Sequence, residues 1–372
     1  MAKRKIAFII TKLQLGGAQK SVLYSVENLP KDKFETYLLC GKSGSLDSYA
    51  KRNIKNLYFI SSLVRQINPI KDFFAFIEII KTLKKINPQI VHTNCPKAGI
   101  LGRIAAKIFT KAKVIHTTHG FVFYEGQNTF KKYFYIFIER FTALFSDCMV
   151  FVSNKDLKTA LKYKITSKDK SYLIRAGVVI PAENLNFDKT KLLKEFNLKK
   201  ENKIVLQVAN LKPEKAPLES VKVAQIVCQK HPEAVFLYTG SGPLKKETQT
   251  LIRQLKLENN FKLIGERDDI SHLLALADVF LLTSVREGLP MALLEALFAK
   301  IPAVCYDVGG IKEVLINSKN GFLITPKDHK KAAQSIINIL DGKFPFKSID
   351  LSEFDINIMV QKQADLYESL LK

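Results

Sequence analysis

The sequence predicts an α/β protein that contains two doubly wound parallel sheets. The chain has 372 residues, which is more than one hydrophobic core usually accommodates. In both halves, short apolar runs alternate with longer segments of helical periodicity, and this alternation is typical of βαβ units. Hydrophobic residues make up 47% of the chain and charged residues 25%, values that exclude general disorder.

The first half contains seven strand candidates separated by helical segments. The strands are predicted at Lys5–Ile10, Thr36–Cys40, Leu57–Ile60, Ile90–Thr93, Val114–Thr118, Cys148–Ser153 and Tyr172–Arg175. The main helices are predicted at Ala18–Leu29, Ile70–Ile86, Ala98–Phe109 and Phe130–Phe145. We therefore expect residues 1–182 to form one Rossmann-like domain.

A break in the pattern separates this domain from the second one. Val178 to Asn202 contains Pro181, several asparagines and a run of lysines and glutamates, which indicates a linker with one short helix. The alternation then restarts, with strands predicted at Ile204–Ala209, Val235–Thr239, Phe261–Ile264, Val279–Thr283, Ala303–Tyr306 and Gly321–Ile324. We expect residues 183–353 to form the second domain, and an amphipathic helix over 354–372 to pack back on the first.

Prolines and strand ends indicate where a ligand would bind. Pro217, Pro243 and Pro290 each stand where a helix is predicted to begin, a position that proline tolerates well. Ligands of doubly wound sheets bind outside the carboxyl ends of the strands. A cleft between two facing domains is therefore the expected site.

The positive charge is concentrated in the first half. Residues 1–188 contain 31 Lys and Arg against 13 Asp and Glu, whereas the remainder contains 27 against 22. Anionic lipid, nucleic acid or a phosphorylated substrate could attract this surface, and a solvated lysine-rich surface is the alternative. Lys131 and Lys132 precede the aromatic run Tyr133–Phe137, which is either an interfacial helix or core against the sheet.

Targeting signals are weak in this sequence. The first apolar stretch, Ile6–Ile10, is too short for the core of a signal peptide. No run approaches the roughly 18 apolar residues of a spanning helix. We therefore expect a cytoplasmic protein that is not integral to a membrane.

The strongest local signal is the segment Arg286–Ala296. It follows a predicted strand, and a helix that begins at Pro290 would present free backbone N–H groups near Leu289, which suit an anion. Glu295 falls in an otherwise apolar helix, which predicts burial. A buried carboxylate needs hydrogen-bond donors, either from a ribose diol or from a backbone group or lysine of the protein.

This segment resembles the E-x7-E motif of family 4 retaining glycosyltransferases of GT-B fold, with Glu287 and Glu295 as its acids. The similarity extends over nearly the whole chain, and its combined pattern is specific. Further segments that resemble the family are Gly16-Gly17-Ala18, Thr118-His119-Gly120, Gly240–Leu244, Leu263–Asp269, Ala303–Glu313 and Asn320–Leu323.

The resemblance implies a role for each matching residue. Glu287 would lie near the transferred sugar, His119 would hydrogen-bond it, and Glu295 would hold the nucleotide ribose. The donor would also contact Gly16, Gly17, Gly240, Arg267, Gly288, Leu289 and Pro290. Lys215 matches the lysine of the family's R-L-x-x-x-K segment, but Asn210 stands where the arginine belongs, so one expected cation for the leaving diphosphate is missing.

The implied activity is retaining transfer of a hexose from a nucleotide sugar, expected to be a UDP-sugar. The expected acceptor is a lipid-linked glycan for a cell-surface polysaccharide such as lipopolysaccharide or capsule, reached at the inner face of the cell membrane. No D-x-D pattern and no His/Cys cluster of metal-ligand spacing occurs, so we predict metal-independent chemistry without a cofactor.

Three other classes of protein share some of these features. A Rossmann-type oxidoreductase would need G-x-G-x-x-G after the first strand, where the sequence reads KLQLGGA. A nucleic-acid-binding protein would explain the basic half, but no binding signature accompanies it. A sugar-nucleotide epimerase shares the two-domain fold, and the E-x7-E segment discriminates against it.

Overall fold

The computed structural model describes residues 3–124, 126–180 and 188–372 of the chain, which divide into two compact units. Unit 1 comprises Met1–Gly177 together with Glu353–Lys372, and unit 2 comprises Val178–Ser352. The predicted boundary between residues 182 and 183 lies outside the described residues. In each unit the described strands form one sheet, in which all the strand pairs are parallel.

The sheet of unit 1 has seven strands in the order β3-β2-β1-β4-β5-β6-β7. The strands are β1 (Arg4–Lys12), β2 (Phe34–Gly41), β3 (Leu57–Phe59), β4 (Ile90–Asn94), β5 (Lys113–Thr118), β6 (Cys148–Phe151) and β7 (Ser171–Leu173). The helices are α1 (Gly17–Asn28), α2 (Asp47–Asn53), α3 (Pro69–Ile86), α4 (Pro96–Phe109), α5 (Thr129–Ala143) and α6 (Asn154–Lys162).

Both faces of this sheet are buried because its strands are apolar at consecutive positions. On β1, Ile6 and Phe8 pack with α1 and the C-terminal helix, whereas Ala7 and Ile9 pack with α3 and α4. Side chains alternate between the faces of a strand, so a run of this kind fills two cores. The two helix layers follow directly from that alternation.

The sheet of unit 2 has six strands in the order β10-β9-β8-β11-β12-β13. The strands are β8 (Lys203–Val208), β9 (Ala234–Thr239), β10 (Phe261–Gly265), β11 (Val279–Leu282), β12 (Ala303–Tyr306) and β13 (Gly321–Ile324). The helices are α7 (Lys189–Glu195), α8 (Pro217–Lys230), α9 (Lys245–Gln254), α10 (Ile270–Leu274), α11 (Met291–Phe298) and α12 (His329–Leu340).

The C-terminal helix, α13 (Ile356–Leu370), packs against α1 within unit 1. Its Tyr367 is fully buried, and the hydroxyl lies 2.6 Å from His92 Nδ1 on β4. Lys33 pairs with Glu368 at 2.8 Å on the surface of the same contact. The last helix of the sequence is therefore part of the core that the first strands build.

Several predicted element ends are wrong by a few residues. The strand predicted to reach Ser153 stops at Phe151, because the Ser153 side chain accepts a hydrogen bond from Asp156 N and caps α6. The helix predicted to reach Phe145 ends at Ala143. Pro243 does not begin a helix, since α9 starts two residues later at Lys245.

Two histidines lie in the interior of unit 1. His92 is 1% exposed, with Nε2 2.6 Å from Thr117 Oγ1, and His116 is 3% exposed, with Nδ1 2.9 Å from Thr93 Oγ1. Burial lowers the pKa of His92 to about 3 and that of His116 well below its ordinary value. Both rings are therefore neutral in the folded protein between pH 5 and pH 7.

We expect these histidines to make the fold sensitive to acid. Below about pH 6.5 each ring binds a proton in the unfolded chain but not in the folded one. The free energy of unfolding therefore falls as the pH drops, by about 1.4 kcal/mol per pH unit and histidine. His92→Gln should lose less Tm than the wild type between pH 7 and pH 5, as measured by circular dichroism.

The matched control is His329→Gln, because the His329 side chain is 32% exposed on unit 2. It should keep the pH dependence of the wild type. If His92→Gln lost as much Tm as the wild type between pH 7 and pH 5, His92 would not be the source of the acid sensitivity, and the account of a ring that is neutral in the folded protein but protonated in the unfolded chain would be wrong.

Candidate active site

Two loops of unit 2 meet where the order of its strands reverses. The sheet grows from β8 through β9 to β10 on one side, and β11, β12 and β13 follow on the other. A crevice therefore opens between the carboxyl ends of β8 and β11. Lys215 follows β8, Glu287 follows β11, and Lys215 Nζ lies 2.5 Å from Glu287 Oε1. The structure thus brings two of the predicted site residues into an ion pair.

The pair is largely shielded from water. The side chain of Glu287 is 8% exposed and that of Lys215 is 22% exposed. At such a position each charge loses part of its hydration and depends on the other for compensation. A phosphate group that reached Lys215 would meet a cation already stripped of much of its water, which strengthens their attraction.

Backbone contacts hold the Lys215 loop against the end of β11. Val285 N donates to Glu214 O at 2.9 Å, and the Thr283 hydroxyl lies 3.2 and 3.1 Å from the carbonyl oxygens of Lys215 and Ala216. Ala216 has a left-handed φ of +43°, a conformation that costs free energy for a residue with a side chain. The loop is therefore fixed by the strand on the far side of the crevice.

The Glu287 loop is fixed by the paired glycines that follow β12. Gly309 has φ +62°, and a Cβ there would lie 2.0 Å from the carbonyl oxygen of Glu287. Gly310 N donates to Gly288 O at 2.6 Å. Only glycine allows this approach at position 309, and the backbone N–H of Gly310 adds a hydrogen bond that holds the Glu287 loop.

Glu295 lies on α11 as predicted from spacing, but the predicted burial of its helix is wrong. Leu293, Leu294, Ala296 and Leu297 are buried, whereas Met291, Ala292 and Glu295 are half-buried. Helix α11 packs on β11, β12 and α10, and Glu295 keeps part of its surface open to solvent. Pro290 precedes the helix at the N-cap, and Leu289 is buried beside it.

The other predicted donor residues of unit 2 also lie at the carboxyl edge. Gly240, with φ +140°, approaches the strand end so closely that a Cβ would lie 2.1 Å from Ala209 O. Asn210 accepts hydrogen bonds through its carbonyl oxygen from Tyr238 Oη at 3.3 Å and Lys212 N at 2.8 Å. Both positions thus have structural roles within the fold.

Arg267 is engaged by carboxylates of its own unit. It pairs with Glu195 and with Asp269, the latter at 2.6 Å, and its guanidinium lies 5.2 Å from the centre of the Phe196 ring. The hydrogen bonds that Arg267 donates to the carboxylates of Asp269 and Glu195 raise the pKa of Arg267. The charge of this side chain is compensated before any ligand arrives, which favours a packing role for its planar face.

The switch point of unit 1 lies between β1 and β4, and it carries the remaining predicted residues. Gly16 is the N-cap of α1, and Gly17 is its first residue. The φ of Gly16 is extended, and a Cβ there would meet only the end of the flexible Gln19 side chain at 2.7 Å. The fold itself does not require glycine at position 16, in contrast to position 240.

His119 follows β5 at the same edge. Its Nε2 lies 3.1 Å from Oδ1 of Asn94. Asn94 is the last residue of β4 and is 3% exposed. Burial lowers the pKa of His119 to about 4, so the ring is neutral near pH 7. A neutral imidazole offers one donor and one acceptor and is suited to hydrogen bonds with hydroxyl groups.

The outer surface of unit 1 exposes an unusual row of aromatic side chains. On α5, Phe130 is 80% exposed and Phe137 is 65% exposed, and Tyr133, Phe134 and Phe141 are exposed beside them. The first turns of α3 expose Ile70, Phe73 and Phe74 in the same way. The alternative that the α5 aromatics form core against the sheet is therefore wrong for most of them. Within Tyr133–Phe137 only Ile136 is buried. Its partly exposed neighbour Tyr135 packs against the same hydrophobic cluster.

The described residues contain neither a metal-binding cluster nor a membrane-spanning helix. Residues 3–124, 126–180 and 188–372 contain no group of three or more His, Cys, Asp or Glu side chains placed to hold a metal ion. No helix in those ranges is both long and apolar enough to cross a bilayer.

Comparisons with known proteins agree with this fold. The chain is 31% identical to the Escherichia coli UDP-Gal:alpha-D-GlcNAc-diphosphoundecaprenol alpha-1,3-galactosyltransferase over 379 residues, 98% of this chain and 97% of the relative. It is 27% identical to the E. coli O-antigen biosynthesis glycosyltransferase WbnH over 86% of each chain. The Anabaena HepE structure in complex with UDP and glucose matches 98% of this chain and 100% of its own, with a TM-score of 0.79 and 19% identity.

Two parallel sheets with these switch points are typical of the GT-B fold. The family model described as Glycosyltransferase Family 4 matches residues 15–180, and that described as Glycosyl transferases group 1 matches residues 188–350. The chain therefore belongs to glycosyltransferase family 4 and is an enzyme of bacterial polysaccharide biosynthesis. Neither the epimerase nor the nucleic-acid-binding alternative accounts for these matches.

Sequence reasoning missed two residues of this edge. The strand predicted at Ile90–Thr93 stops one residue short of Asn94, and the match at Asn210 and Lys215 does not single out Glu214. The signal was available, since the first polar side chain after each parallel strand lies at the carboxyl edge. The contact of Asn94 with His119 depends on the register of β4 with β5, which pairs Asn94 with Thr117.

Proposed function

We propose that this glycosyltransferase moves a hexose from a UDP-sugar to a lipid-linked glycan with retention of anomeric configuration. The observation that carries the proposal is the Lys215–Glu287 pair at the switch point of unit 2. Support for the substrates comes from the E. coli relative named above, whose name specifies UDP-Gal and a diphosphoundecaprenol-linked acceptor. HepE, which shares the fold, has been crystallised with UDP and glucose.

In the proposed complex the donor diphosphate binds Lys215. The backbone N–H groups at the start of α11, after Pro290, and those near Gly17 on α1 add partial positive charge. Lys215 then exchanges Glu287 for phosphate oxygens, which leaves the Glu287 carboxylate to accept hydrogen bonds from the sugar. Glu295, on the accessible side of α11, accepts hydrogen bonds from the ribose diol.

The proposed reaction proceeds on one face of the sugar. The bond between the anomeric carbon and the phosphate oxygen breaks as the acceptor hydroxyl oxygen bonds to the same carbon. The leaving phosphate oxygen takes the proton of that hydroxyl, so UDP and the new glycoside balance the atoms and charges. His119 and Glu287 orient the sugar and stabilise the charge that develops on its ring.

The reaction is proposed to need no divalent metal or other cofactor. Lys215 and the two helix N-termini supply positive charge where the diphosphate leaves. The arginine expected at Asn210 is absent from this group, and Lys215 is the residue of the R-L-x-x-x-K segment that contacts Glu287. We therefore assign the main role of a mobile cation to Lys215.

The transfer itself is tested by mixing the protein with a UDP-hexose and a synthetic diphosphate-lipid sugar acceptor. We expect release of UDP and a product whose anomeric configuration, determined by NMR, matches that of the donor. Glu295→Gln should weaken binding of the UDP-sugar in calorimetry by about 5- to 150-fold, since roughly 1–3 kcal/mol is lost with charge-assisted hydrogen bonds.

Glu258→Gln, a matched change at an exposed position of unit 2, should bind the donor as the wild type does. Inversion of configuration would overturn the proposed reaction. Unchanged donor affinity in a folded Glu295→Gln variant would remove the ribose assignment while leaving the transfer intact.

We further propose that unit 1 docks on the inner face of the cell membrane. The exposed aromatics of α5 and of the first turns of α3 would enter the headgroup region, and Lys131 and Lys132 would contact lipid phosphates. Helices that follow parallel strands begin at the carboxyl edge of the sheet. The exposed aromatics near the starts of α3 and α5 therefore lie toward the edge where the acceptor is proposed to bind.

Sedimentation with vesicles tests the docking. The wild type should bind vesicles rich in anionic lipid at low salt and be released by high salt, because each basic side chain contributes on the order of 1 kcal/mol. Lys131→Glu/Lys132→Glu should bind several-fold more weakly. Lys245→Glu/Lys246→Glu, which makes the same charge change on exposed lysines of unit 2, should bind like the wild type. Absence of wild-type binding to strongly anionic vesicles at low salt would contradict the proposal.

A further inference from the structure

We propose that Asn94 is a positioning residue that holds the His119 ring in one tautomer, with the proton on Nε2 and a lone pair on Nδ1. In this state Nδ1 accepts a hydrogen bond from a hydroxyl group of the sugar. The identity of that ligand rests on the proposed function, whereas the tautomer is a property of the protein alone.

The orientation of the Asn94 amide determines the tautomer. Asn94 Nδ2 points to the carbonyl oxygen of His92 at 3.5 Å, and Oδ1 lies 3.1 Å from His119 Nε2. The opposite orientation would place two oxygens against each other on one side. An amide oxygen can only accept a hydrogen bond, so Nε2 of His119 must carry the proton.

The ends of β4 and β5, near which this contact forms, are held in place by hydrogen bonds of the His92 ring. His92 is held at both ring nitrogens, by Tyr367 Oη at 2.6 Å and by Thr117 Oγ1 at 2.6 Å. These bonds join β4, β5 and the C-terminal helix immediately below Asn94. Asn94 is itself buried, so it has little freedom to turn its amide toward water.

Within residues 3–124, 126–180 and 188–372, no second hydrogen bond to the His119 ring competes with the one to Asn94. A small cavity borders both His119 and Asn94, and its walls include Ser21 and Gln363. Among the described residues, the charged or titratable groups that bear on this ring are His92 and His116, and burial keeps both neutral. Since burial also lowers the pKa of His119 to about 4, the ring is neutral at pH 7 and its tautomer decides which nitrogen can accept.

Glycosyl transfer gives this tautomer a consequence. A sugar hydroxyl that donates to Nδ1 keeps its own oxygen free to accept, and the interaction strengthens as positive charge develops on the sugar ring. With the other tautomer, Nδ1–H would act as a donor and would place a partial positive charge there instead. Asn94 thereby sets the sign of the dipole that His119 presents.

The direct test is a nitrogen–proton correlation NMR spectrum of the intact chain labelled with ¹⁵N-histidine, without ligand. The His119 signals are identified by their loss in His119→Gln. We expect the pattern of an imidazole protonated on Nε2 at pH 7. The pattern of an Nδ1-protonated ring or of the imidazolium in the wild type would overturn the proposal, and this result does not depend on any variant of Asn94 folding.

Two variants then separate positioning from simple packing. Asn94→Leu removes the acceptor and should give a mixture of the two tautomers. Asn94→Asp keeps an acceptor toward Nε2 but sets its second oxygen against the His92 carbonyl, so it should keep the proton on Nε2 and raise the pKa of His119. We expect Asn94→Leu to lower kcat by about tenfold with little change in KM for the acceptor. An unchanged tautomer in folded Asn94→Leu would refute the role of Asn94. Failure of the wild type to transfer any sugar would refute the proposed function but leave the tautomer result in place.

Discussion

Each sheet is built outward from its first strand, and this constraint determines where every candidate site residue lies. β1 and β8 lie in the interior of their sheets. The next two strands of each unit extend the sheet on one side, and the later strands extend it on the other. Loops that leave neighbouring strands at the reversal point must diverge, which opens a crevice at the carboxyl edge. Gly16 and Asn94 border that crevice in unit 1, and Lys215 and Glu287 border it in unit 2.

In unit 2 an ion pair spans the crevice. The Lys215–Glu287 pair joins the loops after β8 and β11, while backbone bonds and the glycines at 309 and 310 hold both loops still. An ion pair of this kind costs desolvation free energy and gives modest net stability, but it keeps a dehydrated cation in a defined place. In the proposed reaction the diphosphate replaces Glu287 as the partner of Lys215. Folding has already removed much of the water around Lys215, so binding of the diphosphate needs less further desolvation.

The sequence was sufficient to predict the strands, because runs such as Ile6–Ile10 and Val279–Leu282 are apolar at consecutive positions. It also predicted Lys215, Glu287 and His119 as site residues, since each follows such a run and fits the family pattern. It failed where the outcome depends on tertiary packing. The composition of α11 suggested burial on all sides, yet the half-exposure of Glu295 depends on which neighbours the helix meets. The partners of Arg267 include Glu195, which lies 72 residues away in sequence, and no local pattern connects them.

The central claim is that Lys215 provides the positive charge on which departure of the diphosphate depends. The most direct measurement is the rate of UDP release by the wild type and by Lys215→Met, each in excess EDTA and in added magnesium or manganese. The account predicts that EDTA leaves the wild-type rate unchanged and that Lys215→Met loses on the order of 100-fold under both conditions. Loss of wild-type turnover in EDTA that either metal restores, together with near-normal turnover by Lys215→Met, would contradict it.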